Sequence, residues 1–180
     1  LAHLHELCNG LRKSRRGVCR EIVGVFDGGE HIWPTHEAQN VAVILHADVV
    51  GSTTLVQHDE ALAHERIRDA FHRFSETIES YNGHPLELRG DALVAEFDRA
   101  SDAVEASLAF QADNTQFNST LGDDIRPTLR VGISLGEVVV ADNTVTGEGV
   151  VLAQRLENLA SAEGVCIQGA VYLLTYGCWV

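Results

Sequence analysis

The chain has 180 residues, enough for one domain of ordinary size with a full core, plus some extra length. It carries 26 acidic against 13 basic residues, and the formal charge of −13 lies wholly beyond residue 40: residues 1–40 hold five acids and five bases, leaving 21 acids and eight bases downstream. So acidic a surface repels nucleic acid and anionic lipid, which excludes both as partners, and a nucleoside triphosphate would approach it only as a metal complex.

Residues 1–40 show no sustained period: RKSRRG is a short basic cluster, and VFDGGEHIWP is broken by glycines and a proline. They are predicted to be a poorly ordered linker or the end of an upstream module. His3 and His5 have a spacing that could serve a metal, but an exposed pair is the expectation. The sequence contains no methionine and a single lysine, Lys13, so it is read as a fragment or an incomplete reading frame.

Residues 41–47, VAVILHA, form a nearly continuous apolar run that predicts a buried strand ending at Asp48. Gly51, Ser52 and Thr53 then open a helix. From 57 to 82, the positions Ala63, Ile67, Phe71, Phe74, Ile78 and Tyr81 keep helical spacing, and Asn82-Gly83 ends the helix in a left-handed cap. Residues 86–89 and 92–97 are predicted to be paired strands turning at Gly90-Asp91, and a helix over roughly 101–116 presents Ala103, Val104, Ser107 and Leu108 to the sheet. TLRVGIS and EVVVAD are predicted as two strands separated by a Leu-Gly turn. A third helix, EGVVLAQRLENLA, and a short strand in GVCIQG follow, and this alternation implies an α/β layered domain over 41–180. Cys8, Cys19, Cys166 and Cys178 lack CxxC or metal-ligand spacing, which predicts reduced thiols and a cytoplasmic setting. No run of 18 apolar residues and no signal peptide is present, so no membrane span is expected within this chain.

Two stretches bear on chemistry: HADVVGST with Asp48, and LELRGDALVAEF with Asp91. Each places a carboxylate at a strand edge close to a glycine that lets backbone approach a ligand. The amides of Gly51, Ser52 and Thr53 at a helix start, beside a carboxylate, suit a phosphate chain and its magnesium. Taken singly, a capping Asp and a turn Asp explain the two motifs as well. Their combination points to a nucleoside triphosphate site with two metals.

With these motifs, ILHADVVGSTTL, the helix to Tyr81, LELRGDALVAEF, TLRVGISLGEVVV and TGEGVVLAQRLENLA are ordered as in the class III nucleotide cyclases, and the chain resembles that family from about residue 41 to about 172. The resemblance implies a ferredoxin-like α/β (α+β) domain that forms a head-to-tail homodimer with active sites at the interface. It implies conversion of a purine nucleoside triphosphate to a 3′,5′-cyclic monophosphate plus pyrophosphate, for intracellular signalling. Asp48 and Asp91 would hold two Mg2+ or Mn2+ ions with the Val49 carbonyl as a further ligand, and Arg155 would neutralise charge on the transferred phosphate. Family members usually continue with a closing strand pair, which the ending VYLLTYGCWV lacks.

Val151 departs from the family, which places an asparagine there to position the ribose. Losing such a polar contact costs roughly 2–4 kcal/mol, or about 10²–10³ in rate, so turnover is expected to be weak. For base reading, the family positions fall on Glu87 and Thr144. An acceptor at Glu87 and a hydroxyl donor at Thr144 suit guanine, whereas bacterial relatives of this pattern mostly read adenine. The alternative to an enzyme is a non-catalytic cyclase-homology module that dimerises and regulates a partner, and a chain with no stable fold is the third reading.

Overall fold

The computed structural model describes residues 25–26, 29–30, 40–90, 92–141 and 144–175, in two units that divide after Gln39. In the first unit, β1 (Val25–Phe26) and β2 (Gly29–Glu30) pair antiparallel. The remainder of that stretch, including His3, His5, Cys8, Cys19 and Lys13, lies outside the described residues.

The second unit is built around β3 (Asn40–Val49), whose alternate side chains enter two different layers. Val43, Leu45, Ala47 and Val49 join the large core, while Ala42 and Ile44 join a smaller cluster on the opposite face. Both faces being covered, the strand has no polar side to alternate with, which is why the run is nearly all apolar. β4 (Gly83–Arg89), β5 (Ala92–Phe97), β6 (Leu129–Ala141) and β7 (Thr144–Thr146) complete an antiparallel order β4-β5-β3-β6-β7, and β8 (Val165–Ile167) adds parallel to β6. With α2 (Glu60–Ser80) between β3 and β4, and α3 (Ala100–Thr120) between β5 and β6, the order is the ferredoxin-like β-α-β-β-α-β.

α2 and α3 form the main core with one face of the sheet. Phe71, Phe74 and Ile78 of α2 are buried, and the Phe74 ring stacks on Phe110 of α3 at 4.0 Å between centroids. Each such phenylalanine stabilises the fold by about 1.5–3 kcal/mol through burial. α4 (Glu148–Leu159) covers the other face, and α5 (Gly169–Thr175) places Val171 in the main core.

Several element boundaries differ from the sequence expectation. The helix opened at Gly51–Thr53 is α1 (Ser52–His58), and the helix predicted over 57–82 is α2, which starts only at Glu60 because extended Asp59 separates the two and its side chain accepts from Leu62 N at 3.0 Å as an N-cap. α2 stops at Ser80, and Asn82 takes the left-handed conformation (φ 60°) expected of that cap.

α3 runs four residues past the predicted end. Asn114 and Asn118 lie on its buried side, and both donate to the Pro127 carbonyl at 2.9 Å, so buried polar residues tie down the loop into β6. Leu108, predicted to face the sheet, is 51% exposed, whereas Ala103 and Ser107 on the neighbouring positions are fully buried. Leu135-Gly136 is no turn: β6 is one strand, and both residues sit in its ladder opposite Val43 and Ala42. A ten-residue β3 can pair along its whole length only with an unbroken partner. The glycine is there because a Cβ at Gly136 would come within 2.9 Å of the Gly149 amide in α4.

Candidate active site

Asp48 stands at the end of the central strand, opposite Ala92 of β5 on one side and Arg130 of β6 on the other. Asp91 itself lies outside the described residues, but its neighbour Ala92 pairs with Asp48 and Gly90 turns the hairpin with φ +61°. The β3–β5 register thus brings Asp48 and Ala92, the residue after Asp91, to one end of the sheet. α1 starts at the same end: Gly51, at φ 65°, lets the chain reverse directly into the helix with no side-chain cap. A helix start leaves its first amides without intrahelical acceptors. A cleft of about 350 Å³ lies beside it, lined by Ser52, Thr53, Val56, His64, Ile67 and Gly90. That volume falls in the range of small-molecule sites.

Between Asp48 and α4 runs a charge network that the sequence reading did not single out. Arg130 Nη2 donates to Asp48 Oδ2 at 3.0 Å and stands 2.9 Å from Glu157 Oε1. The second contact is Coulombic, since its angles do not make a hydrogen bond. His46 Nδ1 lies 3.7 Å from Glu157 Oε2. Glu157 is 2% exposed. Burial pushes its carboxyl above the ordinary carboxylate range; Arg130 pulls it back, and the Asp48 charge adds to the rise.

The backbone explains how an acid reaches this place. His46 pairs with Gly132, and Asp48 with Arg130, two residues further along both strands. A Cβ at Gly132 would collide with Ala153 O and Glu157 N, so the bare glycine lets α4 settle onto β6 and lowers Glu157 between the two pairs. The signal was present in the sequence: Gly149, Ala153 and Glu157 recur every four residues on the buried side of α4.

Val151 and Arg155 are on the other side of that helix. Val151 is 47% exposed, Arg155 is exposed, and Arg155 makes no ion pair among the described residues. Within one chain the structure therefore does not bring Arg155 to the sheet-facing side where Asp48 and Glu157 meet. Glu87 pairs with Val94 in β4, and Thr144 pairs with Ala141 in β7. Their chain neighbours Leu86 and Val145 pack in the same small apolar cluster, which brings the two backbone segments together; neither side chain is described.

For divalent ions, the donors on offer are oxygens. Asp48 Oδ1 accepts nothing among the described residues, Val49 ends the strand beside it, and Asp91 follows Gly90. An all-oxygen set fits hard cations such as Mg2+ or Mn2+. The described residues alone hold no group of three metal-binding side chains, so such a site needs Asp91.

Residues 34–176 match the family model described as the adenylate and guanylate cyclase catalytic domain. The chain belongs to this family. A Rhizobium meliloti (strain 1021) relative, whose name provisionally assigns it as adenylate cyclase 3, is 34% identical over 143 residues, covering 77% of this chain and 24% of that protein. An adenylate cyclase of Streptomyces coelicolor is 30% identical over 125 residues, covering 69% and 31%. This cyclase domain thus spans about a quarter to a third of those two relatives. Among solved structures, an adenylate/guanylate cyclase/hydrolase from Silicibacter pomeroyi is 26% identical with a TM-score of 0.68, over 78% of this chain and 82% of that one. The adenylyl cyclase CyaB from P. aeruginosa shares the fold, with a TM-score of 0.66 at 23% identity over 77% and 82%. No helix among the described residues of the cyclase domain is long and apolar enough to cross a membrane.

Proposed function

We propose that this cyclase domain converts a purine nucleoside triphosphate to its 3′,5′-cyclic monophosphate and pyrophosphate. The observation that carries this reading is the register that sets Asp48 opposite Ala92, the neighbour of Asp91, at the end of the sheet where α1 begins. In the reaction the ribose 3′-oxygen attacks the α-phosphorus in line, the bond to the bridging oxygen breaks, and the 3′-hydroxyl proton is lost to solvent. Two Mg2+ or Mn2+ ions on Asp48, Asp91 and the Val49 carbonyl would supply Lewis-acid activation of that hydroxyl and charge neutralisation of pyrophosphate. The amides of Gly51, Ser52 and Thr53 hold the phosphates beside the cleft. Glu87 and Thr144 read the base, and their donor and acceptor pattern favours GTP, while the adenylate cyclase names belong to relatives.

Arg155 neutralises charge on the transferred phosphate. Because its side of α4 is exposed, it serves the site of a second copy, in a head-to-tail homodimer whose sites each draw on two chains. Val151 provides no polar group for the ribose, which keeps turnover weak.

The test incubates the purified chain with Mn2+ and either ATP or GTP and separates products by chromatography. A cyclic nucleotide is expected. Cyclic GMP alone supports the Glu87–Thr144 assignment, and cyclic AMP alone keeps the enzyme but discards that assignment. Folded protein that forms neither overturns the catalytic reading in favour of a regulatory cyclase-homology module, the second reading that Val151 supports.

A further inference from the structure

Arg130 stands between two carboxylates and meets both through one nitrogen. Its Nη2 is 3.0 Å from Asp48 Oδ2 and 2.9 Å from Glu157 Oε1, and the strand register fixes it directly across from Asp48. With Asp48 as its only counter-charge, the guanidinium would occupy that carboxylate and oppose any cation brought to it. Glu157 changes this balance. It is held by α4 rather than by the sheet, it is 2% exposed, and the close approach of α4 over Gly132 keeps it within reach of Arg130. Glu157 therefore stays beside the guanidinium when Asp48 turns to another charge.

We infer that Glu157 is a positioning residue for the cation site: it draws Arg130 towards itself when a divalent ion takes Asp48, so that the arginine competes less for that carboxylate. The inference rests on the reading of Asp48 as a metal ligand. It also ties that ligand to α4, whose opposite side bears Arg155, through a chain of two ion pairs. Partners one shell beyond a metal's ligands typically change its affinity by about 10–100-fold, which sets the size of the effect.

The experiment measures Mn2+ binding to the full chain without nucleotide, from the electron paramagnetic resonance signal of free Mn2+, at about pH 8, well above the ordinary carboxylate range. Glu157→Gln is expected to weaken Mn2+ binding by about 10–100-fold, because Arg130 then falls wholly to Asp48. Arg130→Gln is expected to tighten it, and Arg130→Gln/Glu157→Gln to bind at least as well as the unsubstituted chain. If Glu157 merely fastens α4 to the sheet, all three variants lose affinity together or none does, and either pattern overturns the inference. Should Glu157→Gln fail to fold, Arg130→Gln decides alone: tighter binding supports the inference, and equal or weaker binding refutes it. Asp48→Asn separates the two levels. If it binds Mn2+ as the unsubstituted chain does, the metal reading itself falls; if it abolishes binding while Glu157→Gln changes nothing, only the positioning role falls.

Discussion

At the scale of single residues, the proposed reaction requires Asp48 and Asp91 and is slowed by the valine on α4. Asp48→Ala and Asp91→Ala are each expected to abolish cyclic nucleotide formation while leaving the far-ultraviolet circular dichroism unchanged; Asp48 lies at the end of its strand and outside the buried core. Retained turnover in either variant removes that carboxylate from the site. On the proposed reading, Val151→Asn would supply a ribose partner on an exposed helix face, where no repacking is required. It is expected to raise turnover by about 10²–10³-fold, and an unchanged rate shows that the ribose is held by other groups. Asp48 and Asp91 could be picked out because an acid beside a glycine ends an apolar strand. Arg130 could not, because an Arg in TLRVGIS is usually solvated, and Glu157 was marked only by its four-residue spacing from Gly149 and Ala153. Their meaning depends on a contact between positions 27 residues apart in the chain.

At the scale of elements, the seat of α4 on β6 controls how the site is assembled. Gly132→Ala puts a methyl group against Ala153 O and Glu157 N, and backbone cannot yield as a flexible side chain can. A loss of about 1–3 kcal/mol is expected, read as a lower denaturant midpoint. No change in midpoint means that the helix shifts freely and that its close seat is not required. The same contact explains why Leu135-Gly136 misled the sequence reading. Glycine between apolar runs usually marks a turn, but here the missing side chain makes room for another element. The break at Asp59 was legible in principle, since an Asp preceding a helical run is an N-cap signal. The continuing apolar period on either side concealed it.

At the scale of the whole molecule, the charge of −13 and the buried Glu157 shape the response to pH. The native state holds the Glu157 proton to higher pH than the unfolded chain does. Its contribution to stability is therefore complete below the ordinary carboxylate value and is lost as pH rises through the raised native value. Glutamine at this position stays neutral throughout. The melting temperature of Glu157→Gln minus that of the unsubstituted chain is accordingly expected to rise between about pH 4 and about pH 8, and a flat or falling difference contradicts this. If Arg155 serves a partner's site, specific activity falls on dilution in step with loss of the dimer in sedimentation. Activity that is independent of concentration places the complete site within one chain.

The sequence by itself determined the family, the α/β order of elements and the central strand that ends at Asp48, because these follow from local periodicity and from short motifs that neighbouring residues write together. Only the tertiary structure decided that β6 runs unbroken, that Leu108 faces solvent while Asn114 and Asn118 are buried, and that His46, Asp48, Arg130 and Glu157 form one network. Those outcomes depend on which distant backbone comes close enough to exclude water. No window of adjacent residues contains that information.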